Sequence, residues 1–410
     1  MSESVTRSDD AGAGADEEPV LSVRDLQTVF RTDRETIRAV DGIDLDVYEG
    51  ETVGLVGESG SGKSVTARSI MGLIEEPGEV LPGSSIRFKG RETTELSAGQ
   101  YQELRGNGIG MVFQDPLSSL NPVFTVGNQI RETLKVNRGL TGEAARETAI
   151  DLLEAVSIPD AARRLDEYPH EFSGGMRQRA VIAMMLACDP DLLICDEPTT
   201  ALDVTIQAQI LELLSDLQEE RGLSLLFITH DMGVIADVTD RVNVMYAGEI
   251  VEKAPTVELF ENPRHPYTRG LLEAIPGQHA DEDRLRTIEG EVPTPNEPAS
   301  HCRFAPRCPE EFRDCTEVHP QLVETADGRP SGSATGDDRS RGAPTHTAAC
   351  LLYPEDASKA EAVAHHRDLA NDAEVSTRDE SEVSTRDVAD SDGETDETDD
   401  DAASPGGGST

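Results

Sequence analysis

The stretch Gly57-Glu58-Ser59-Gly60-Ser61-Gly62-Lys63-Ser64 decides how this chain is read. The apolar run Thr52-Val53-Gly54-Leu55-Val56 precedes it and the apolar positions Val65, Ile70 and Leu73 come after it, so it sits at a strand-to-helix turn. A phosphate-binding loop needs that setting. Glycines at 57, 60 and 62 let successive backbone N–H groups turn inward on an anion, and the next helix adds its positive end. Lys63 is then placed to reach β- and γ-phosphates, and the Ser64 hydroxyl to ligate Mg2+. A nucleoside triphosphate is the expected ligand.

Outward from that loop, size and charge narrow the function classes. The 410 residues suffice for one large domain, a smaller one and tails. A net charge of −44 argues against nucleic acid as a partner, because its phosphates repel such a surface. Residues 354–410 hold 18 acidic and 4 basic residues, a net of −14, so −30 stays with residues 1–353. The folded body is therefore acidic too. With 5 lysines to 31 arginines and no Trp, it suits a medium where salt shortens the Debye length, to about 3 Å at 1 M. A salt-rich, halophile-like cytoplasm is the expectation, with an ordinary acidic protein as the alternative. Met1 to Glu18 lacks the basic start and apolar centre of a signal peptide. No run approaches the roughly 18 apolar residues of a membrane span. A soluble intracellular protein is expected, in which disulfides are out of place and clustered cysteines point to a metal.

Taken in order, residues 1–19 are rich in Ser, Ala, Gly and Asp and read as a disordered leader. Val20 to Asp46 alternates apolar and polar positions, as half-buried strands do. Phe30 is a candidate to stack on a purine, with ordinary strand packing as the alternative. Short strands are expected at Ile86–Phe88 and Ile109–Phe113, the second ending at Gln114, where a polar group faces the nucleotide edge of an α/β sheet. Asn128 to Leu165 has helical periodicity and leads to Phe172-Ser173-Gly174-Gly175-Met176, a second helix start suited to an anion. Asp191 to Pro198 is a buried strand that ends in Asp196, placed for Mg2+, and Glu197, placed to polarise a water. Asp203 opens the next helix, and Leu223 to Thr229 is a further strand that delivers His230.

As a set, GESGSGKS (57–64), Gln114, FSGGM (172–176), LLICDE (192–197), TALD (200–203) and His230 resemble the nucleotide-binding domain of ATP-binding cassette (ABC) transporters. The resemblance covers about residues 20–255. It implies an α/β P-loop fold with a RecA-like core, an antiparallel β subdomain and a helical subdomain at about 116–185. It also implies two such domains closing head to tail on two ATP molecules. Phe30, Gly57, Glu58, Ser59, Gly60, Ser61, Gly62, Lys63, Ser64 and Val65 would bind ATP; Ser64, Gln114 and Asp196 would hold Mg2+. Gln114, Glu197 and His230 would act in hydrolysis. The signature Ser173, Gly174, Gly175 and Met176 would meet the partner's ATP, and Asp203 would lie at the dimer contact. Met176 stands where the family commonly has Gln, a feature shared with similar oligopeptide transporter ATPases.

The segments MVFQDPLSSLNP (111–122) and NPRHPYTRGLLEAIP (262–276) are similar to the dipeptide, oligopeptide and nickel importer branch. EGEVPTP (289–295) and HCRFAPRCP (301–309) look like its peptide-transporter extension, expected here over 256–353. This favours peptides over nickel as the solute. The implied partners are two permease subunits, a second ATPase subunit and an extracellular solute-binding protein, with the chain peripheral on the cytoplasmic face of the membrane. A soluble cassette ATPase acting on DNA or ribosomes fits less well, since those carry paired cassettes, insertions or basic surfaces. A cassette without turnover fits poorly with intact Glu197 and His230.

Cys302, Cys308, Cys315 and Cys350 are spaced C-x5-C-x6-C-x34-C, wider than a zinc ribbon. The resemblance implies a 4Fe-4S cluster on these residues; Zn2+ and free thiols are the alternatives. Cys188 and Cys195 read as inert core residues. Beyond Tyr353 the chain is acidic, repeats EVSTRD at 374–379 and 382–387, and reads as a solvated tail.

Overall fold

The computed structural model describes residues 18–115, 119–200, 202–275, 288–325, 346–355 and 357–371. The leader up to residue 17 and the acidic stretch beyond 371 lie outside the described residues. So do 116–118 and 201, which belong to two of the motifs quoted above.

The first strands in chain order are β1 (Leu21–Arg31), β2 (Thr36–Val47), β3 (Thr52–Val56), β4 (Gly78–Val80), β5 (Ser85–Phe88) and β6 (Arg91–Glu92). After them come β7 (Ile109–Val112), β8 (Leu192–Asp196), β9 (Ser224–Thr229), β10 (Arg241–Tyr246), β11 (Glu249–Pro255), β12 (Val323–Glu324) and β13 (Thr347–Ala348). One sheet is antiparallel, in the order β2-β1-β5-β6 with β4 also on β1. The other runs β12-β13-β11-β10-β3-β9-β8-β7, and its five strands from β10 to β7 are parallel.

The parallel strands are apolar at almost every position because both of their faces are covered. Leu192, Ile194, Leu226, Ile228, Val53 and Leu55 pack with Leu21, Val23 and Leu26 of the antiparallel sheet. Leu193, Cys195, Leu225 and Phe227 point the other way, into a core shared with Ile130, Leu153 and Ile182 of the helical layer. That layer contains Val126–Arg138, Gly142–Ala155 and Gly174–Leu186. Thr125 and Ser173 cap two of these helices with their own hydroxyls.

The segment after 255 is not a free appendage. Its strands β13 and β12 extend the main sheet beyond β11, and Phe304 and Tyr267 enter the same core as β10. Order also runs past the expected boundary at 354, a correction to the expectation from composition: residues 359–371 form a helix. Val363 packs with Cys315 and Leu351, and Leu369 with Tyr353 and Val323. Fully buried His366 accepts the Gln321 N–H at 3.0 Å and bonds to the Cys350 and Tyr353 carbonyls at 3.2 Å.

Candidate active site

Register brings the motifs together. Val56 lies opposite Thr229, Asp196 opposite Ile228, and Val112 opposite Cys195, so β3, β9, β8 and β7 end side by side. The residues just beyond these strand ends are therefore gathered at one sheet edge: the glycine loop, His230, Asp196-Glu197 and Gln114.

The loop is sterically closed to larger residues at Gly57 and Gly62. Gly62 caps the helix Lys63–Ile70 with φ +110°, and a Cβ there would run into the Ala39 carbonyl. Lys63 is 5% exposed, and its ammonium donates to the carbonyls of Gly57 at 2.7 Å and Glu58 at 2.9 Å. Burial lowers its pKa, against the pull of Glu197, Asp196 and Glu58. The Ser64 hydroxyl donates to Asp196 at 2.9 Å, so two of the three expected Mg2+ ligands touch, while the third, Gln114, bonds Glu197. Burial raises the Asp196 pKa while that bond opposes the rise.

Glu197 is the centre of the polar network. Its carboxylate accepts from Gln114 Nε2 at 3.0 Å, Thr200 Oγ1 at 2.9 Å and His230 Nδ1 at 3.0 Å. Burial pushes its pKa up, but the bonds from His230 and Thr200 outweigh that, and the net shift is downward. Its backbone is left-handed, φ +49°, which is unusual for a non-glycine residue and costs on the order of 1 kcal/mol or more. The bond from its N–H to the Ile228 carbonyl at 2.8 Å holds that conformation. An ionised carboxylate, aimed and half-buried near a lysine and a second acid, is suited to orienting a water against phosphate.

The other expected residues lie elsewhere. Ser173 caps its own helix through the Met176 N–H at 3.3 Å, and Gly175 lies so close to Ile206 that a Cβ would collide with it. Gly174 faces Leu202, and Asp203 caps the neighbouring helix through the Ile206 N–H at 3.0 Å. Signature and Asp203 therefore form one patch on the helical side. Phe30 lies in β1 with its ring against Gly78, a packing contact within the antiparallel sheet. Sequence reasoning missed Thr200 as a partner of Glu197, although it is part of TALD. It also missed Tyr267, whose hydroxyl accepts the Glu58 N–H at 2.8 Å.

Cys302, Cys308, Cys315 and Cys350 border one small cavity of about 20 Å3. Burial raises all four thiol pKa values, to about 12 for Cys302 and Cys350. Among the described residues no group of three or more His, Cys, Asp or Glu is placed to hold a metal ion. The expected metal site is thus four thiols around a shared space, without convergence on a point. Among the described residues no helix is long and apolar enough to cross a membrane.

Two family models match the chain: ABC transporter over residues 40–200, and oligopeptide/dipeptide transporter, C-terminal region, over 251–315. A peptide import ATP-binding protein of Brucella abortus is 50% identical over 313 residues, which are 76% of this chain and 94% of that protein. The oligopeptide transport ATP-binding protein AppD of Bacillus subtilis is 46% identical over 340 residues, 83% of this chain and 98% of AppD. Among solved structures, the dimeric, ADP- and Pi-bound cassette MJ0796 is 28% identical with a TM-score of 0.52, covering 58% of this chain and 98% of that one. The cassette cbiO1 of Clostridium perfringens is also 28% identical, with a TM-score of 0.53 over 60% of this chain and 92% of cbiO1. The motifs, the sheet edge that gathers them and these relatives agree: the chain belongs to the ATP-binding proteins of ABC transporters that carry the oligopeptide/dipeptide transporter C-terminal region.

Proposed function

We propose that this chain is the ATP-hydrolysing subunit of an importer of dipeptides or oligopeptides. One observation carries the catalytic part: Gln114, Thr200 and His230 converge on Glu197 next to the Ser64–Asp196 pair. Lys63 and the loop N–H groups take the phosphates, with Glu58, Ser59, Gly60, Ser61 and Val65 shaping the cradle; Phe30 meets the base only with the part of its half-buried ring that does not pack on Gly78. Ser64, Gln114 and Asp196 hold Mg2+, which when bound neutralises charge on the phosphate oxygens. Glu197 orients the attacking water, and His230 steadies Glu197 and the γ-phosphate side.

The signature patch of Ser173, Gly174, Gly175 and Met176 serves the ATP of a second cassette, with Asp203 at the contact. The dimeric state named for MJ0796 supports this arrangement. Two permeases in the membrane and an extracellular solute-binding protein complete the assembly, with this chain peripheral on the cytoplasmic face. Peptide, rather than nickel, is favoured by the C-terminal region and by the relatives' names. The test is ATP turnover by the chain reconstituted with its permeases in lipid vesicles. Stimulation by peptide-loaded binding protein is expected, and indifference to peptide would refute the solute class.

The four thiols are proposed to hold a 4Fe-4S cluster. Zinc would draw four sulfurs to about 3.8 Å of one another. A cubane keeps its ligands farther apart, as these unconverged thiols are, and the space of about 20 Å3 between them, room for about one water, must open to admit it. Its binding would help fold a module with a small core of its own. Anaerobically purified protein is expected to absorb near 400 nm and to carry about four iron atoms per chain. A colourless, iron-free preparation would refute the cluster.

The acidity is proposed to match a salt-rich, halophile-like medium. At −44, self-repulsion is better tolerated when salt screens it. Dialysis below roughly 0.5 M salt is expected to unfold the chain, as monitored by circular dichroism, and full stability in dilute buffer would remove the idea.

A further inference from the structure

Glu58, the second residue of the phosphate loop, is held from outside the loop at both ends of its side chain and backbone. Its N–H donates to the Tyr267 hydroxyl at 2.8 Å, and its carboxylate accepts from Arg307 Nη1 at 3.1 Å and Nη2 at 3.3 Å. Its carbonyl in turn accepts from the Lys63 ammonium at 2.9 Å. Whatever shifts the Glu58 peptide therefore shifts the lysine that meets the phosphates.

Arg307 is built to hold that position. Its side chain is 6% exposed, and its guanidinium lies 5.7 Å from the Tyr246 ring centre. It also donates to the carbonyls of Ile288, Glu289 and Gly290 at 2.9–3.3 Å. Tyr246 and Tyr267 meet at 4.7 Å between centroids, and both touch the Phe304 ring at 5.2–5.4 Å. Phe304 and Arg307 lie between Cys302 and Cys308, and Arg307 ends the short turn Ala305–Arg307. One rigid aromatic and cationic wedge thus runs from the cysteine-bearing module to the glycine loop.

We propose that Arg307 is a positioning residue for the phosphate loop, through which the cysteine-bearing module sets the affinity for ATP. A glycine-rich loop that phosphate alone must order loses affinity to that ordering, and an external brace removes part of the loss. The brace acts on binding, because none of its groups reaches Glu197, where the water is oriented. The proposal rests on the ATPase reading above.

The test measures ATP affinity and turnover on the full chain carrying Arg307→Ala, Glu58→Gln, or both. Arg307→Ala is expected to raise Kd and KM for ATP about tenfold, with kcat at saturating ATP falling less than twofold. Glu58→Gln, which leaves the module's own bonds to Arg307 in place, is expected to move KM the same way and decides the matter should Arg307→Ala not fold. The double variant is expected to be no worse than Arg307→Ala alone, because both changes break one link. Arg307→Lys is expected to recover only part of the affinity, since an ammonium cannot span carboxylate and carbonyls together. Unchanged KM in either single variant, or strictly additive losses, overturns the proposal while the ATPase reading stands. A parent chain that binds no ATP overturns both.

Discussion

Glu197→Gln is expected to cut ATP turnover by about 1,000-fold, roughly 4 kcal/mol on the barrier, while ATP binding stays within about twofold. The substitution keeps size and shape but removes the charge on which Gln114, Thr200 and His230 converge. All of these approach as donors, and a carboxylate accepts on both oxygens. A glutamine accepts on one atom and presents an NH2 on the other, so it keeps the bonds from Gln114 and Thr200 on its oxygen only by turning the NH2 to His230 Nδ1, which must then give up its proton and accept. The depressed pKa sharpens the role assigned to Glu197. An acid held ionised by its neighbours is a weak proton acceptor, so its contribution is aim and charge more than outright deprotonation of water. Binding is expected to survive because, in the proposed arrangement, the phosphates rest on Lys63 and the loop amides, which the change leaves alone. Phosphate release at saturating ATP and equilibrium binding measure the two halves. Turnover within tenfold of the parent chain would strip Glu197 of this role, and trapped ATP without turnover would support it.

How much of this was legible in the sequence depended on distance along the chain. The glycine loop and the Asp196-Glu197 strand end could be read because each is one local unit, a buried strand breaking into polar residues. Their meeting could be inferred from the α/β pattern, since parallel strands place their carboxyl ends together. Arg307 and Tyr267 could not be read the same way. They lie 249 and 209 residues from Glu58, and one charge pair is invisible among 80 acidic residues. The helix at 359–371 did leave a local trace: Ser358 and Glu361 cap each other, with the Ser358 N–H to Glu361 at 2.9 Å. Ala362, Val363, His366 and Leu369 then supply an apolar face at helical spacing. That signal was outweighed by the acidic composition of the residues beyond it. For the cysteines, spacing revealed a shared neighbourhood but not the approach of the sulfurs, which depends on how three separate loops pack.

Arg303→Ala is expected to destabilise the chain by about 3 kcal/mol, the low end of the cost of stranding a buried charge. Arg303 is the second cationic link between the cysteine module and the cassette. Its guanidinium bonds the Asp41 carboxylate and donates to the carbonyls of Ala247 at 2.7 Å and Glu297 at 3.0 Å, with Glu249 at 3.6 Å. Arg303 and Asp41 side chains are 8% and 7% exposed, so water cannot replace the lost donors. The cost stays below the upper end because Asp41 keeps Arg38 at 2.6 Å and Glu249 keeps His319 at 2.5 Å. Arg303→Met separates charge from packing: it refills most of the space, so a loss close to that of alanine assigns the effect to the stranded carboxylates. Salt provides the sharper discrimination. Surface repulsion in this acidic chain is relieved as ionic strength rises, whereas a pair sealed from solvent is barely screened. The gap in urea midpoint between parent and variant is therefore expected to persist from about 0.5 M to about 3 M salt, even as both midpoints climb. A gap that closes with salt, or a loss under about 1 kcal/mol, would mean that Arg303 acts as one more surface charge and that the module is joined to the cassette chiefly by its aromatic core and added strands.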